Sequence, residues 1–120
     1  MRITKAQRNA VAEKITSLER TFYGRGPRSV QVSVSDDDPV SLIVLSIDTL
    51  TVADAVLGER GYLDAVVSHH EALQAATRSD FLEAVETIVG SPVSAYLAQV
   101  HPTTGSAVRV FVFSPEIALT

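Results

Sequence analysis

The apolar residues of the first segment recur with the period of a helix. Their spacing of three or four positions is seen at Val11, Ile15, Leu18 and Phe22. This pattern predicts an amphipathic helix over residues 5–22. Thr4 followed by Gln7 has the spacing of a capping box at the start of this helix, and the glycines and proline within residues 23–27 predict its end.

Two segments with the pattern of β-strands follow. In residues 28–35 valines alternate with mostly polar residues, which is typical of a strand with one buried face. Residues 40–47 are apolar on both faces and rich in β-branched side chains, so they predict a more central strand. The acidic turn at residues 36–39 joins the two strands in an antiparallel hairpin.

The middle of the chain has the pattern of helices. Residues 51–58 predict a short helix that begins at Thr51 and ends at Gly58. Residues 62–89 contain no glycine or proline, and they carry a heptad-like stripe. The stripe consists of Leu63, Val66, His70, Leu73, Thr77, Phe81, Ala84 and Ile88.

A single helix over residues 62–89 would be longer than an average domain of this size. Its length would be about 42 Å at 1.5 Å per residue, whereas a globule of this chain length is about 35 Å across. Two arrangements satisfy this constraint. Either the helix breaks at residues 77–80, where Ser79 or Asp80 caps a new helix, or it overhangs and exposes an apolar stripe that a second subunit covers.

Two more strands are predicted over residues 93–100 and 107–113. The order of elements is therefore α-β-β-α-α-β-β, in a single domain of residues 1–120. Two hairpins and separate helices predict an α+β fold, in which a mostly antiparallel four-stranded sheet carries the helices on one face. We expect Phe111 and Phe113 on the other face, where a monomer would expose them to water, and this favours a homodimer.

Composition narrows the class of protein. With 46% apolar residues and a formal charge of −4, the chain has the composition of a folded domain and not of a disordered one. It contains no cysteine, which excludes disulfides, iron–sulfur clusters, thiolate zinc sites and cysteine nucleophiles. No apolar run approaches the roughly 20 residues of a membrane-spanning helix. We therefore expect a cytoplasmic protein without direct membrane insertion.

The charges are unevenly distributed. Residues 1–28 carry seven Lys or Arg against two Asp or Glu, and the rest of the chain has an excess of acidic residues. We favour an arrangement in which the basic segment faces the acidic body of its own fold or of a partner subunit. The alternative is that it binds nucleic acid. The candidates for that alternative are Arg2, Lys5, Arg8 and Lys14.

No residue pattern indicates catalysis, and we predict neither an enzyme nor a bound metal or cofactor. His69 and His70 are adjacent, so on a helix their side chains point about 100° apart and do not suit one metal ion. His70 lies on the apolar stripe, which predicts a buried, hydrogen-bonded structural residue. His101 lies alone in a loop. The aspartates of residues 36–38 lack the spacing of a calcium loop, and Glu83 with Glu86 is typical of a solvated helix face.

The bend at residues 23–28 is the candidate binding site. Gly24 and Gly26 free the backbone for unusual conformations, and Arg25 and Arg28 place guanidinium groups beside backbone amides. This chemistry suits a small anion such as phosphate, carboxylate or bicarbonate. The alternative is a helix terminator whose arginines pair with acidic residues of the same fold.

The same bend carries a family resemblance. Residues 22–30, Phe-Tyr-Gly-Arg-Gly-Pro-Arg-Ser-Val, resemble the MpsC-like family, as do Leu50-Thr51 and residues 110–113. Further matching positions are Phe81, Val85, Glu86, Gly90 and Val93. The resemblance covers nearly the whole chain, and the Tyr-Gly-Arg-Gly-Pro segment is its most specific element.

The resemblance implies a cytoplasmic accessory or regulatory protein, associated with a membrane complex for cation or inorganic-carbon transport, and no known reaction. The sequence departs from the family pattern at two places. Val52-Ala53-Asp54 stands where the pattern has Pro-Ala-Glu, and an arginine of the long helix is replaced in the region of His69 and His70. A ligand contact at either place would be altered here.

Overall fold

A computed structural model describes residues 1–114 of the chain. The predicted order of elements and the α+β class are confirmed. The helices are α1 (Lys5–Tyr23), α2 (Val52–Glu59) and α3 (Leu63–Val89). The strands are β1 (Ser29–Ser35), β2 (Ser41–Ile47), β3 (Val93–Val100) and β4 (Ala107–Phe113).

The first helix begins and ends where its sequence signals lie. The Gln7 backbone N–H donates to Thr4 Oγ1 at 3.1 Å, and the Thr4 backbone N–H donates to Gln7 Oε1 at 2.8 Å, so the capping box is formed. Gly24 follows the last turn with φ of 80°, a left-handed conformation that glycine adopts without strain. These two ends place the side chains of α1 on the sheet in a defined register.

The four strands form one sheet in the order β1-β2-β4-β3, and every neighbouring pair is antiparallel. The two predicted hairpins are joined along β2 and β4, in which Leu42 lies opposite Phe111 and Val44 opposite Arg109. The placement of β2 inside the sheet confirms the prediction made from its two apolar faces. Helices α1 and α3 pack on the face that carries Leu42 and Val44.

The prediction for the two phenylalanines of β4 was wrong. Phe111 and Phe113 are fully buried beneath the helices, and Val112 between them faces the other way. Because both sets of alternate positions in β4 are largely apolar, the period of two does not say which set faces inward. The register with β2 decides it, and the open face receives Val108, Val110 and Val112.

Helix α3 is continuous over 27 residues, so of the two arrangements that the sequence left open the structure has the unbroken helix, with no break at residues 77–80. The hydroxyl of Thr77 donates to the Leu73 carbonyl at 2.7 Å, a bond within the continuous helix. The helix therefore overhangs, and the longest dimension of the domain is 58 Å.

Helix α2 covers part of the overhang. Leu57 of α2 packs against a small second core that contains Leu50 and Val66. The helix ends at Glu59 and not at the predicted Gly58, because Gly61, with φ of 87°, provides the left-handed turn after it.

Candidate functional site

Polar side chains occupy the interior beneath the helices, where the sequence predicted mainly apolar residues. We call the following set the buried polar network: Glu19, Tyr23, Ser46, Thr49, Asp54, His70 and Arg109. They come from α1, β2, the β2–α2 connection, α2, α3 and β4. The network thus joins helices to the sheet by polar contacts.

Glu19 and Arg109 form the first half of this network. Arg109 Nη1 donates to Glu19 Oε2 at 2.5 Å, and Arg109 Nη2 donates to the Tyr23 hydroxyl at 2.8 Å. The hydroxyls of Ser46 and Thr49 also donate to the Glu19 carboxylate, Ser46 at 2.6 Å. Because a buried charge is costly unless it is paired and hydrogen-bonded, this arrangement accounts for an ion pair in the core.

The guanidinium of Arg109 has an aromatic contact as well. Its Cζ lies 4.0 Å from the ring centroid of Phe81, within the range of a cation–π interaction. Burial is the largest single effect and disfavours the charged form of Arg109, but Glu19, Tyr23 and Tyr96 together outweigh it and raise the pKa of the arginine. Arg109 is therefore a permanent cation in the core.

Asp54 is the centre of the second half. His69 Nδ1 lies 2.6 Å from Asp54 Oδ1, and His70 Nε2 lies 2.7 Å from Asp54 Oδ2. The prediction that His70 is a buried, hydrogen-bonded residue is confirmed. Two adjacent histidines thus hold the two oxygens of one carboxylate, and their rings lie at 77° to each other. Asp54 also forms the capping box of α2 with Thr51.

The two halves meet at Tyr23 and His70, whose rings are in edge contact with centroids 5.5 Å apart. Polar contacts therefore lead from His69, whose side chain is 42% exposed, to the core pair of Glu19 and Arg109. Two buried atoms of the network, His70 Nδ1 and Arg109 Nε, have no hydrogen-bond partner within residues 1–114.

Burial sets the protonation of His70. Removal from water lowers its pKa, and this outweighs the attraction of the Asp54 carboxylate. The geometry agrees, because a proton on the unpaired Nδ1 would be a buried donor without an acceptor. Burial alone would raise the pKa of Asp54, but hydrogen bonds from His69 and Thr51 lower it overall. A charged Asp54 carboxylate hydrogen-bonded to a neutral His70 fits both directions.

The predicted anion-binding bend has one engaged arginine and one exposed arginine. Arg25 pairs with Asp48, with its Nη2 3.1 Å from Oδ2, and also donates to the Leu50 carbonyl at 3.0 Å. The Arg28 side chain is exposed, while its backbone N–H donates to the Ile47 carbonyl at 2.8 Å. The bend thus ties α1 to the β2–α2 connection, and anion binding by Gly24, Arg25, Gly26 and Arg28 stays a prediction.

Gly26 has a steric role in the bend. A Cβ atom at this position would lie 3.3 Å from Nε and Nη2 of Arg20, closer than most such contacts. The glycine therefore lets the guanidinium of Arg20 lie against the backbone of the bend.

The remaining candidates lie apart from the network. Lys14 shares a surface groove with Asp80 and Glu83 of α3, so part of the basic segment faces acidic residues of its own fold. Glu86 accepts a hydrogen bond from the Val93 backbone N–H at 2.8 Å, and His101 accepts one from the Thr104 N–H within the β3–β4 loop. Within residues 1–114, no group of three or more His, Asp or Glu side chains is placed to hold a metal ion.

Sequence reasoning missed Glu19, Asp54 and Arg109 as members of one site. A signal existed for two of them. Glu19 lies four residues after Ile15, on the apolar face of α1, and Arg109 lies two and four positions before Phe111 and Phe113, so it shares their face of β4. A charged residue at a core-facing position indicates a buried partner.

The family comparison agrees with the resemblance read from the bend. A sequence model of the family described as "Na+-translocating membrane potential-generating system (MpsC)" matches residues 4–115. The chain belongs to the MpsC family. No curated protein and no solved structure showed significant similarity to it. Among the residues described for this MpsC family member, none of the helices is long and apolar enough to span a membrane.

The two places at which the sequence is expected to depart from the MpsC family pattern lie in contact. The first falls on Asp54 and the second on the region of His69 and His70, and the structure joins these residues by hydrogen bonds. Asp54, His69 and His70 thus form one polar cluster, which connects the surface to the interior.

Proposed function

We propose that this protein is a non-enzymatic accessory or regulatory component of a membrane-associated cation or inorganic-carbon transport system. It works in the cytoplasm as a homodimer and binds to a membrane-protein complex. The observation that carries the proposal is the match to the MpsC family over residues 4–115, because the family is described by a sodium-translocating, membrane-potential-generating system.

The distribution of side chains supports a function by binding. The charged groups of the buried polar network use their hydrogen bonds inside the domain, and Glu19 and Arg109 are at most 1% exposed. Exposed apolar residues instead lie outside, at Val52 and Val56 on α2, at Tyr62 just before α3, and at Leu97 on β3. Such residues are available to other proteins.

The proposal includes a small anion as the ligand of the bend. Arg28 is exposed, and the side chain of Arg25 is 36% exposed beside Asp48, so an anion would approach Arg28 and compete with Asp48 for Arg25. Bicarbonate is the anion that fits an inorganic-carbon system. The pairing of Arg25 makes weak binding the expected result.

Deletion of the gene in its host tests the proposed function. We expect a lower membrane potential, measured with a voltage-sensitive dye at low and high sodium, and restoration by the wild-type gene on a plasmid. The empty plasmid is the control. An unchanged potential and unchanged inorganic-carbon uptake in the deletion strain would contradict the proposal.

A further inference from the structure

The face of the sheet opposite the helices carries a continuous apolar band. Its members are Ile43, Leu45, Leu97, Val108, Val110 and Val112, on the three adjacent strands β2, β4 and β3. Helices α1 and α3 pack on the other face. Leu97 is 65% exposed, and the other band residues are half-buried among their neighbours.

This band differs from a sheet face that is adapted to water. An antiparallel sheet with one solvated face normally alternates apolar residues inside with polar residues outside. Strand β1 follows this rule, because Gln31 and Ser33 lie on the open side opposite Leu45 and Ile43. Strands β2 and β4 do not follow this rule, because they carry branched apolar residues at the positions on the open side.

From this face we infer that the apolar band is the interface of the homodimer, with a second copy of the chain as its occupant. The inference rests on the homodimer of the proposed function and names the surface that forms it. The strand positions that face this side carry no charged residue. An acidic or basic partner, or a charged lipid headgroup, would find no complementary charge there.

A second copy matches the face in charge and in shape. Each chain has a formal charge of −4, so two copies repel at most of their surfaces and approach best through a neutral one. A two-fold axis along β4 places β4 on β4 and β2 on β3 of the other copy. The apolar bands of the two copies then cover each other, and the polar row of β1 forms the rim, as in the usual anatomy of an interface.

The size of the face predicts the strength of the dimer. The three overlapping strands, about 4.8 Å apart, and seven residues about 3.3 Å apart give a flat footprint of roughly 330 Å². A standard interface buries about 800 Å² of accessible surface on each partner. Even with the relief of the side chains, the footprint lies at the low end, so we expect a dimer that dissociates in the micromolar range.

Charge insertion tests the interface. Sedimentation velocity of the wild-type protein across the micromolar range should show a species of twice the 12.9 kDa chain mass. Leu97→Lys and Val110→Lys should give monomers, whereas Gln31→Lys, which adds the same charge to the rim of the same face, should keep the dimer. Leu97 is an exposed edge residue, so its variant should fold with the far-ultraviolet circular dichroism of wild type even if Val110→Lys does not.

Cross-linking locates the axis. The chain has no cysteine, so one introduced cysteine is its single thiol. Facing sheets pack about 10 Å apart, beyond the reach of a disulfide, and a short bis-maleimide spans that gap. Val110→Cys should cross-link to the introduced cysteine of the other copy, whereas Gln31→Cys should not, because strand spacing alone displaces it sideways from its copy by about 19 Å, in addition to the gap of about 10 Å between the sheets.

Three outcomes would overturn the inference. The first is a wild-type monomer throughout the micromolar range, and the second is a dimer that persists in both Leu97→Lys and Val110→Lys. The third is binding of wild-type monomers to neutral phosphatidylcholine vesicles that Leu97→Lys abolishes. The last outcome would assign the face to lipid. If the wild-type protein is a monomer but the deletion strain has a lower membrane potential, only the proposed interface is contradicted. If the protein is a dimer but the deletion strain has an unchanged membrane potential, only the proposed function is contradicted.

Discussion

Glu19 and Arg109 are separated by 90 positions in the chain, yet Arg109 Nη1 lies 2.5 Å from Glu19 Oε2. One residue lies on the first helix and the other on the last strand, and both are at most 1% exposed. The pair therefore connects the two ends of the domain through its interior.

The pair makes a double-mutant prediction. Glu19→Leu or Arg109→Met alone should reduce the free energy of unfolding by about 3–5 kcal/mol, because each leaves an uncompensated buried charge. The double variant should recover most of this loss, since an apolar pair replaces the ion pair. Urea denaturation measures all four proteins. Arg28→Ala, at an exposed position, is the control and should change stability by less than about 0.5 kcal/mol. Additive losses would show that the two residues act independently.

His70 predicts a loss of stability in mild acid. Its pKa in the folded protein lies below the ordinary value of 6.5, so the unfolded chain binds the proton more readily. The stabilisation is complete above pH 6.5 and is lost as the pH falls from there toward the lowered pKa. Thermal melting between about pH 8 and pH 5 should show this fall.

Two variants test the assignment to His70. His70→Gln should flatten the melting profile between about pH 6.5 and pH 5, because the titrating group is removed. His101→Gln, in an exposed loop, should leave the profile unchanged. Asp54 adds a second loss only below its ordinary pKa of 3.8, since its folded pKa is also lowered. A flat wild-type profile above pH 5 would contradict the role of His70.

Asp48 competes with any anion at the bend. Asp48→Asn removes that competition, and asparagine tolerates the positive φ of 55° at this position. We expect bicarbonate or phosphate to raise the melting temperature of Asp48→Asn more than that of wild type, and Arg25→Ala or Arg28→Ala to reduce the shift. An anion at 100 times its dissociation constant stabilises by about 2.7 kcal/mol. No shift in either wild type or Asp48→Asn would exclude the bend as the site.

Ser79 tests the continuity of α3. In an unbroken helix, Ser79→Pro removes an internal hydrogen bond and should cost about 3 kcal/mol. At the first turn of a new helix the same proline would be tolerated. Ser79→Ala is the matched control and should be neutral or slightly stabilising. Chemical denaturation of both variants measures the difference, and equal stabilities would favour a break.

The local signals of the chain predicted most of its elements correctly. Helix α1 begins after Thr4, with Gln7 in its capping box, and ends before Gly24, as the sequence predicted. The alternation of apolar and polar residues correctly predicted strand β1. These features depend on neighbours within about four residues, so one segment of sequence holds the information. The local sequence left open whether α3 breaks at residues 77–80, because a serine and an aspartate are compatible both with a helix start and with a helix interior, and the structure has the continuous helix.

What the sequence alone determined is the order of the elements, the α+β class and the MpsC resemblance of the bend. Tertiary structure decided which face of β4 points inward, how Glu19 meets Arg109, and how Asp54 meets His69 and His70. The physical reason is range. Strand register and buried ion pairs arise from contacts between distant segments, and an apolar pattern that suits either face leaves the choice to the packing of the whole domain.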